Sequence, residues 1–305
     1  MVQVQLLDAA ETALAPRHQQ GALALARRLP GLIAAAKDVA ASVMHGVHGR
    51  RRAGVGETFW QFRPFSAGES ASRIDWRRSA RDDRLYVRER EWEAAHNVWL
   101  WIDRSASMRF VSELAMQSKI DRALVLGLAC ADLLVRGGER VALLGLTRPR
   151  AARDIVERLA QALLVEDGRA LPEPELPGNE ALAPREQAVL IGDFLSQATD
   201  VAAAIESIAA RGARGHVLMI ADPVEESFPF AGHMEFVDPD SGARLRAGQA
   251  EDFRALYVAR LAAHRDAIKT AATRRGWSFA IHRTDRPASG ALLALSLRLQ
   301  AGETG

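Results

Sequence analysis

The sequence predicts an α/β fold: a mostly parallel sheet flanked by helices, preceded by further helices and a small β-rich segment. Three observations carry the prediction. From Val98 onward, short apolar runs alternate with stretches of helical periodicity, the pattern of strand–helix–strand units. Three of the runs lead into aspartate, at Asp103, Asp193 and Asp222. Breaker residues separate the runs, as at Gly137 and Gly138 and at Pro172, Pro174 and Pro177.

Taken in order, residues 1–48 read as a helical segment, with Leu25, Leu29, Leu32, Val39 and Val43 at helical spacing and an interruption at Pro30 and Gly31 that predicts two helices. Residues 49–91 read as a β-rich segment packed on the sheet, with extended pieces at Phe59 to Phe62 and Leu85 to Val87. Residues 92–305 form the α/β domain. Its strands are Val98 to Ile102, Val141 to Leu146, Ala188 to Ile191, His216 to Ala221 and Trp277 to Ile281. Its helices are Ser118 to Arg136, capped by Ser118, then Ala152 to Leu164, Thr199 to Arg211, Phe253 to Arg275 and Ala291 to Leu299. A hairpin near 233–247, turning through Asp238, Pro239, Asp240, Ser241 and Gly242, is inserted before the long helix.

Composition narrows the function classes. With 305 residues, 48% hydrophobic and 26% charged, the chain can bury its own core. The single cysteine, Cys130, lies in an apolar helical stretch, so there is no disulfide framework and Cys130 reads as a core residue. No apolar run approaches the roughly 18 residues of a membrane span, and the start lacks a basic segment followed by an apolar core. The expectation is a soluble cytoplasmic protein without a membrane partner. Arginines crowd the stretch from Arg50 to Arg90, but Glu57, Glu69, Asp75, Asp82, Asp83 and Glu89 interleave with them. Interleaving argues for an ion-paired surface over a phosphate-binding stripe.

The chemistry concentrates at Asp103, Ser105 and Ser107, where a buried strand ends in one carboxylate and two hydroxyls at alternate positions. These are hard oxygen donors suited to Mg²⁺, beyond the carboxyl end of a strand, where open parallel sheets bind ligands. Alternation directs Arg104 and Ala106 outward. Asp193, at the end of the neighbouring strand, completes the candidate metal set by holding a water. The competing reading makes Asp103, Ser105 and Ser107 caps of the loop and the following helix. His45 and His48 have no carboxylate or cysteine beside them and read as surface residues.

The strand ending in Asp103, Ser105 and Ser107, followed by Met108, resembles the von Willebrand factor A domain with its metal-ion-dependent adhesion site. The block Phe62, Arg63, Pro64, Phe65, Gly68, Glu69, Arg73, Ile74, Asp75, Trp76, Ser79, Ala80 and Arg81 resembles the signature of the family catalogued as domain of unknown function 58. The later Asp222, Pro223, Asp238, Pro239, Ser241, Gly242 and Tyr257 are similar to the same family. The resemblance implies a von Willebrand A-like sheet in a protein that helps to assemble or activate others, often encoded beside a MoxR-type AAA+ ATPase. The adhesion-site pattern also takes a threonine from a second loop. None lies between Ala151 and Ala188, and Thr147 comes early. The expected function is a non-enzymatic protein-interaction module that binds a partner at a metal-ion-dependent adhesion-like site, either holding Mg²⁺ or, without the threonine, weakened or degenerate. The alternatives are a metal-assisted hydrolase using Asp103 and an arginine-mediated nucleic-acid binder.

Overall fold

The computed structural model describes residues 23–44, 59–66, 68–81, 84–90, 95–167 and 174–301. His45 and His48 lie outside them. The chain divides into two compact units, one spanning 46–95 and the other 1–45 with 96–305.

In the larger unit, helix α1 runs unbroken over residues 23–44, so the predicted division at Pro30 and Gly31 is corrected. Leu25, Leu29, Leu32, Ala36, Ala40 and Val43 form one buried stripe in the same core as the sheet, while Pro30 and Gly31 fall on the exposed side. A proline inside a helix costs about 3 kcal/mol. Burying each leucine of the stripe returns about 1.5–3 kcal/mol, so tertiary packing carries the helix through the break.

The smaller unit pairs β1 (Phe59–Pro64) antiparallel with β2 (Tyr86–Arg90), and the short helix α2 (Trp76–Ser79) lies between them in sequence. Asp75 caps α2, its Oδ1 accepting from Arg78 N at 2.9 Å. Tyr86 N donates to Ser79 Oγ at 2.9 Å, tying α2 to β2. Arg63 pairs with Glu69, and the Arg78 guanidinium sits 4.6 Å from the Tyr86 ring centre, so these two arginines are engaged within their own unit.

The larger unit continues with β3 (Asn97–Ile102), α3 (Lys119–Arg136), β4 (Arg140–Leu143), α4 (Ile155–Asp167), β5 (Gln187–Gly192) and α5 (Ala198–Ala209). It ends with β6 (Arg214–Ala221), α6 (Pro223–Ser227), the hairpin β7 (Met234–Val237) and β8 (Arg244–Ala247), α7 (Arg254–Arg274), β9 (Ser278–Arg283) and α8 (Ala288–Ala301). Five strands make one all-parallel sheet in the order β4-β3-β5-β6-β9, the α/β architecture expected. Side chains alternate between two cores. Val98, Leu100, Val189, Ile191, Leu218 and Ile220 face the layer of α1, α3, α4 and α8, whereas Trp101, Leu190, Val217 and Met219 face α5 and α7. The chain leaves β3 outward to β4 and returns across it to β5. The switch point, where a doubly wound sheet opens a crevice, therefore lies between the carboxyl ends of β3 and β5.

Candidate functional site

The sheet register delivers Asp103 to that crevice. Asp103 N donates to Ile191 O at 2.8 Å, extending the β3–β5 ladder by one residue, and Gly192 leaves room for the aspartate side chain beside it. Asp103 is 1% exposed and its Oδ1 accepts from Ser105 N at 2.9 Å, which turns the chain sharply. Ser105 Oγ and Ser107 Oγ consequently lie 3.1 Å apart. A 3-10 turn over Ser107–Arg109 follows and buries Met108 beneath the loop.

Arg104 corrects the outward-facing expectation. It is buried, with Nη1 3.6 Å from the Asp167 carboxylate and 3.5 Å from Leu163 O. Both partners lie near the C-terminal end of α4, where a cation complements free carbonyls and the helix dipole. Ala106 is half-buried, and its N–H donates to Asp240 Oδ1 at 2.7 Å. Ser107 N donates to Asp240 Oδ2 at 3.1 Å.

Asp193 ends β5 as expected, but a lysine meets it. Lys119, the first residue of α3 and 1% exposed, donates to Asp193 Oδ2 at 2.8 Å and to Glu225 Oε1 at 2.5 Å. Burial alone would push this ammonium down; Asp193 and Glu225 outweigh it and hold it above the ordinary lysine range. Burial raises Glu225 even with Lys119 beside it. Asp222, the third strand-end aspartate, caps α6 through Val224 N at 2.9 Å and accepts from Ser112 N at 3.0 Å. It is a structural cap. Thr147 Oγ1 accepts from Leu143 N at 2.8 Å, which commits that hydroxyl to the turn after β4.

The Asp103 carboxyl is pushed up to about 7, first by burial and then by facing Asp193, with Asp240 adding to the effect. Burial and the two facing carboxylates thus oppose ionisation of Asp103. The oxygen donors fit Mg²⁺ in one measurable respect: at 2.0–2.1 Å from an octahedral ion, adjacent ligands lie about 3 Å apart, and the two serine oxygens have that separation. Among the described residues no three His, Cys, Asp or Glu side chains converge on a metal, so the donor set is led by hydroxyls. Lys119 and Asp240 are the site residues that sequence reasoning missed. Lys119 carried a faint signal as one of three lysines in the chain, placed directly after the Ser118 cap.

Fold and loop together define a doubly wound α/β domain with a polar loop at its switch point. The chain belongs to the family described as protein of unknown function DUF58, whose model matches residues 61–267. It is similar to uncharacterized proteins of Mycobacterium tuberculosis and Mycobacterium bovis, each 27% identical over 280 residues, covering 86% of this chain and 86% of the relative. Among solved structures it is similar to an aerotolerance-related membrane protein from Bacteroides fragilis, with 15% identity and a TM-score of 0.39, covering 68% of this chain and 100% of that one. It is also similar to the conserved hypothetical protein BatB from Bacteroides thetaiotaomicron, with 14% identity and a TM-score of 0.37, covering 69% of this chain and 100% of that one. No helix among the described residues is long and apolar enough to cross a membrane.

Proposed function

We propose that this protein is a non-enzymatic interaction module that takes an acidic side chain of a partner protein at the Asp103–Ser107 loop. The observation that carries the reading is the 3.1 Å approach of Ser105 Oγ and Ser107 Oγ beside the buried Asp103. Ser105, Ser107, Asp103 and Asp193 would hold Mg²⁺, which when bound supplies a positive charge and an open position for a carboxylate. Binding is favoured over metal-assisted hydrolysis by the neighbours of Asp103. The charges that act on it are carboxylates, Asp193 and Asp240, and the nearby ammonium of Lys119 is engaged by Asp193 and Glu225. The pairing of Arg63 with Glu69 and the stacking of Arg78 on Tyr86 speak for protein contacts over nucleic acid.

The partner proposed from the family resemblance is a MoxR-type AAA+ ATPase or one of its clients, and the role is assistance in assembling or activating other proteins. Two measurements test the reading: Mg²⁺ calorimetry of the wild type and a Ser105→Ala/Ser107→Ala variant, and co-precipitation with such an ATPase with and without EDTA. Saturable Mg²⁺ uptake that the double variant loses, together with EDTA-sensitive capture, is the expected result. Unchanged calorimetry and capture in the variant would sink it.

A further inference from the structure

We infer that Asp240, at the tip of the β7–β8 hairpin, is a built-in acidic ligand of the Asp103–Ser107 loop, so that a partner's carboxylate engages the loop by displacing this hairpin. The inference deepens the interaction reading above and rests on it. Its basis is the pair of hydrogen bonds from Ala106 N at 2.7 Å and Ser107 N at 3.1 Å to the two oxygens of one carboxylate, 134 and 133 residues away in sequence. A carboxylate bound through both oxygens to successive backbone amides receives charge-assisted bonds, which are stronger than neutral ones.

The hairpin is built to present that carboxylate. Asp238 accepts from Asp240 N at 3.1 Å and from Ser241 Oγ, while Gly242 N donates to Asp238 O at 2.8 Å, so the turn fixes Asp240 without help from the loop it touches. Along β7, Phe236 packs against Phe228 and Phe230 with ring centres 5.7 and 5.3 Å away, and Phe228 packs on Tyr257 at 4.7 Å. The strands are held by an aromatic anchor. The tip is different, because every residue of the turn from Asp238 to Ala243 is exposed. A hairpin anchored along its strands, with its tip held by the Asp240 carboxylate, is a strap whose tip a competing acid can lift without unfolding the sheet. Its tether sets the threshold, since a tethered group acts at roughly millimolar effective concentration.

The test uses the full chain and a fluorescent peptide copying Phe236 to Leu245, offered to the wild type and to Asp240→Ala. The variant removes an exposed side chain and keeps the backbone bond to Asp238. The peptide should bind Asp240→Ala at least tenfold more tightly than the wild type, and a peptide with alanine in place of the aspartate should bind neither. Amide exchange at Ala106 and Ser107 should quicken at least tenfold in the variant while Ile102 is unchanged. Equal peptide binding to both proteins, or unaltered exchange at both amides, overturns the inference. Mg²⁺ calorimetry on the same two proteins keeps the readings apart. If neither takes up Mg²⁺ yet the peptide discriminates between them, the cation reading falls and the strap stands; if both bind Mg²⁺ alike and the peptide does not discriminate, the reverse holds.

Discussion

Asp103 and Gly192 meet across the switch point so closely that a Cβ placed on Gly192 would stand 2.7 Å from Asp103 Cβ and 3.0 Å from its Oδ2. The position of the candidate ligand therefore depends on a missing side chain in the next strand. Asp103 has no room to retreat, because its backbone N–H is fixed to Ile191 O and its carboxylate to Ser105 N. Gly192→Ala is expected to destabilise by about 1–3 kcal/mol through overpacking and to weaken Mg²⁺ uptake by tilting Asp103. Urea unfolding and calorimetry measure the two effects. Wild-type behaviour in both would show that the aspartate tolerates displacement.

This pairing also shows what was legible in the sequence. The strand ends at Asp103 and Asp193 could be read from apolar runs, and a parallel sheet fixes which runs end at the same edge. Arg104, Lys119 and Asp240 could not be read that way. Each owes its role to an approach between elements distant in sequence: Arg104 to the end of α4, Lys119 to residues 74 and 106 positions on, and Asp240 to a loop 134 positions back. Local periodicity carries no information about such meetings. Helix α1 failed for the opposite reason, because Pro30 is a strong local signal that a buried stripe overrides.

Lys119 is held between Asp193 and Glu225 with its side chain 1% exposed. Truncating one member of a buried pair costs about 3–5 kcal/mol, since the charge left behind is neither solvated nor matched. Lys119→Met should lose that much in denaturant unfolding. Adding Asp193→Asn should recover part of the loss, because the stranded carboxylate is then gone. A double variant less stable than Lys119→Met alone would show that the lysine acts through its packing instead.

Gly215 makes a comparable contact on the opposite core. A Cβ there would lie 2.4 Å from the Trp277 ring, which is 2% exposed and whose Nε1 donates to Ala213 O at 2.9 Å. The indole cannot shift without breaking that bond or disturbing the α5–α7 layer. Gly215→Ala is expected to cost about 3 kcal/mol, the upper part of the usual overpacking range. In a double-mutant cycle with Trp277→Leu the combined cost should be less than the sum of the two separate costs, and strict additivity in urea would assign the cost of Gly215→Ala to β6 itself.

His282 supplies the pH dependence. It lies with His216 along the cleft between β6, β9 and α8, and its Nε2 is buried without a hydrogen-bond partner among the described residues. Burial, reinforced by Arg122 and opposed by Asp285, pushes its imidazole down to about 4; His216 is also held near 4, by burial and then Arg298. A histidine with a depressed folded pKa contributes stability that is fully present above its unfolded value of about 6.5 and is lost as pH falls toward 4, because the unfolded chain takes up the proton first. Asp103 works in the opposite sense, its raised carboxyl favouring the folded chain as pH falls below 7. The informative quantity is therefore the difference between wild type and His282→Leu, in which the contributions of Asp103 and His216 cancel. That difference should shift in favour of the variant by about 2 kcal/mol between pH 7 and pH 5, measured by urea unfolding at each pH. A difference independent of pH would mean that His282 is protonated in the folded chain, its Nε2 donating to a group that the cleft admits.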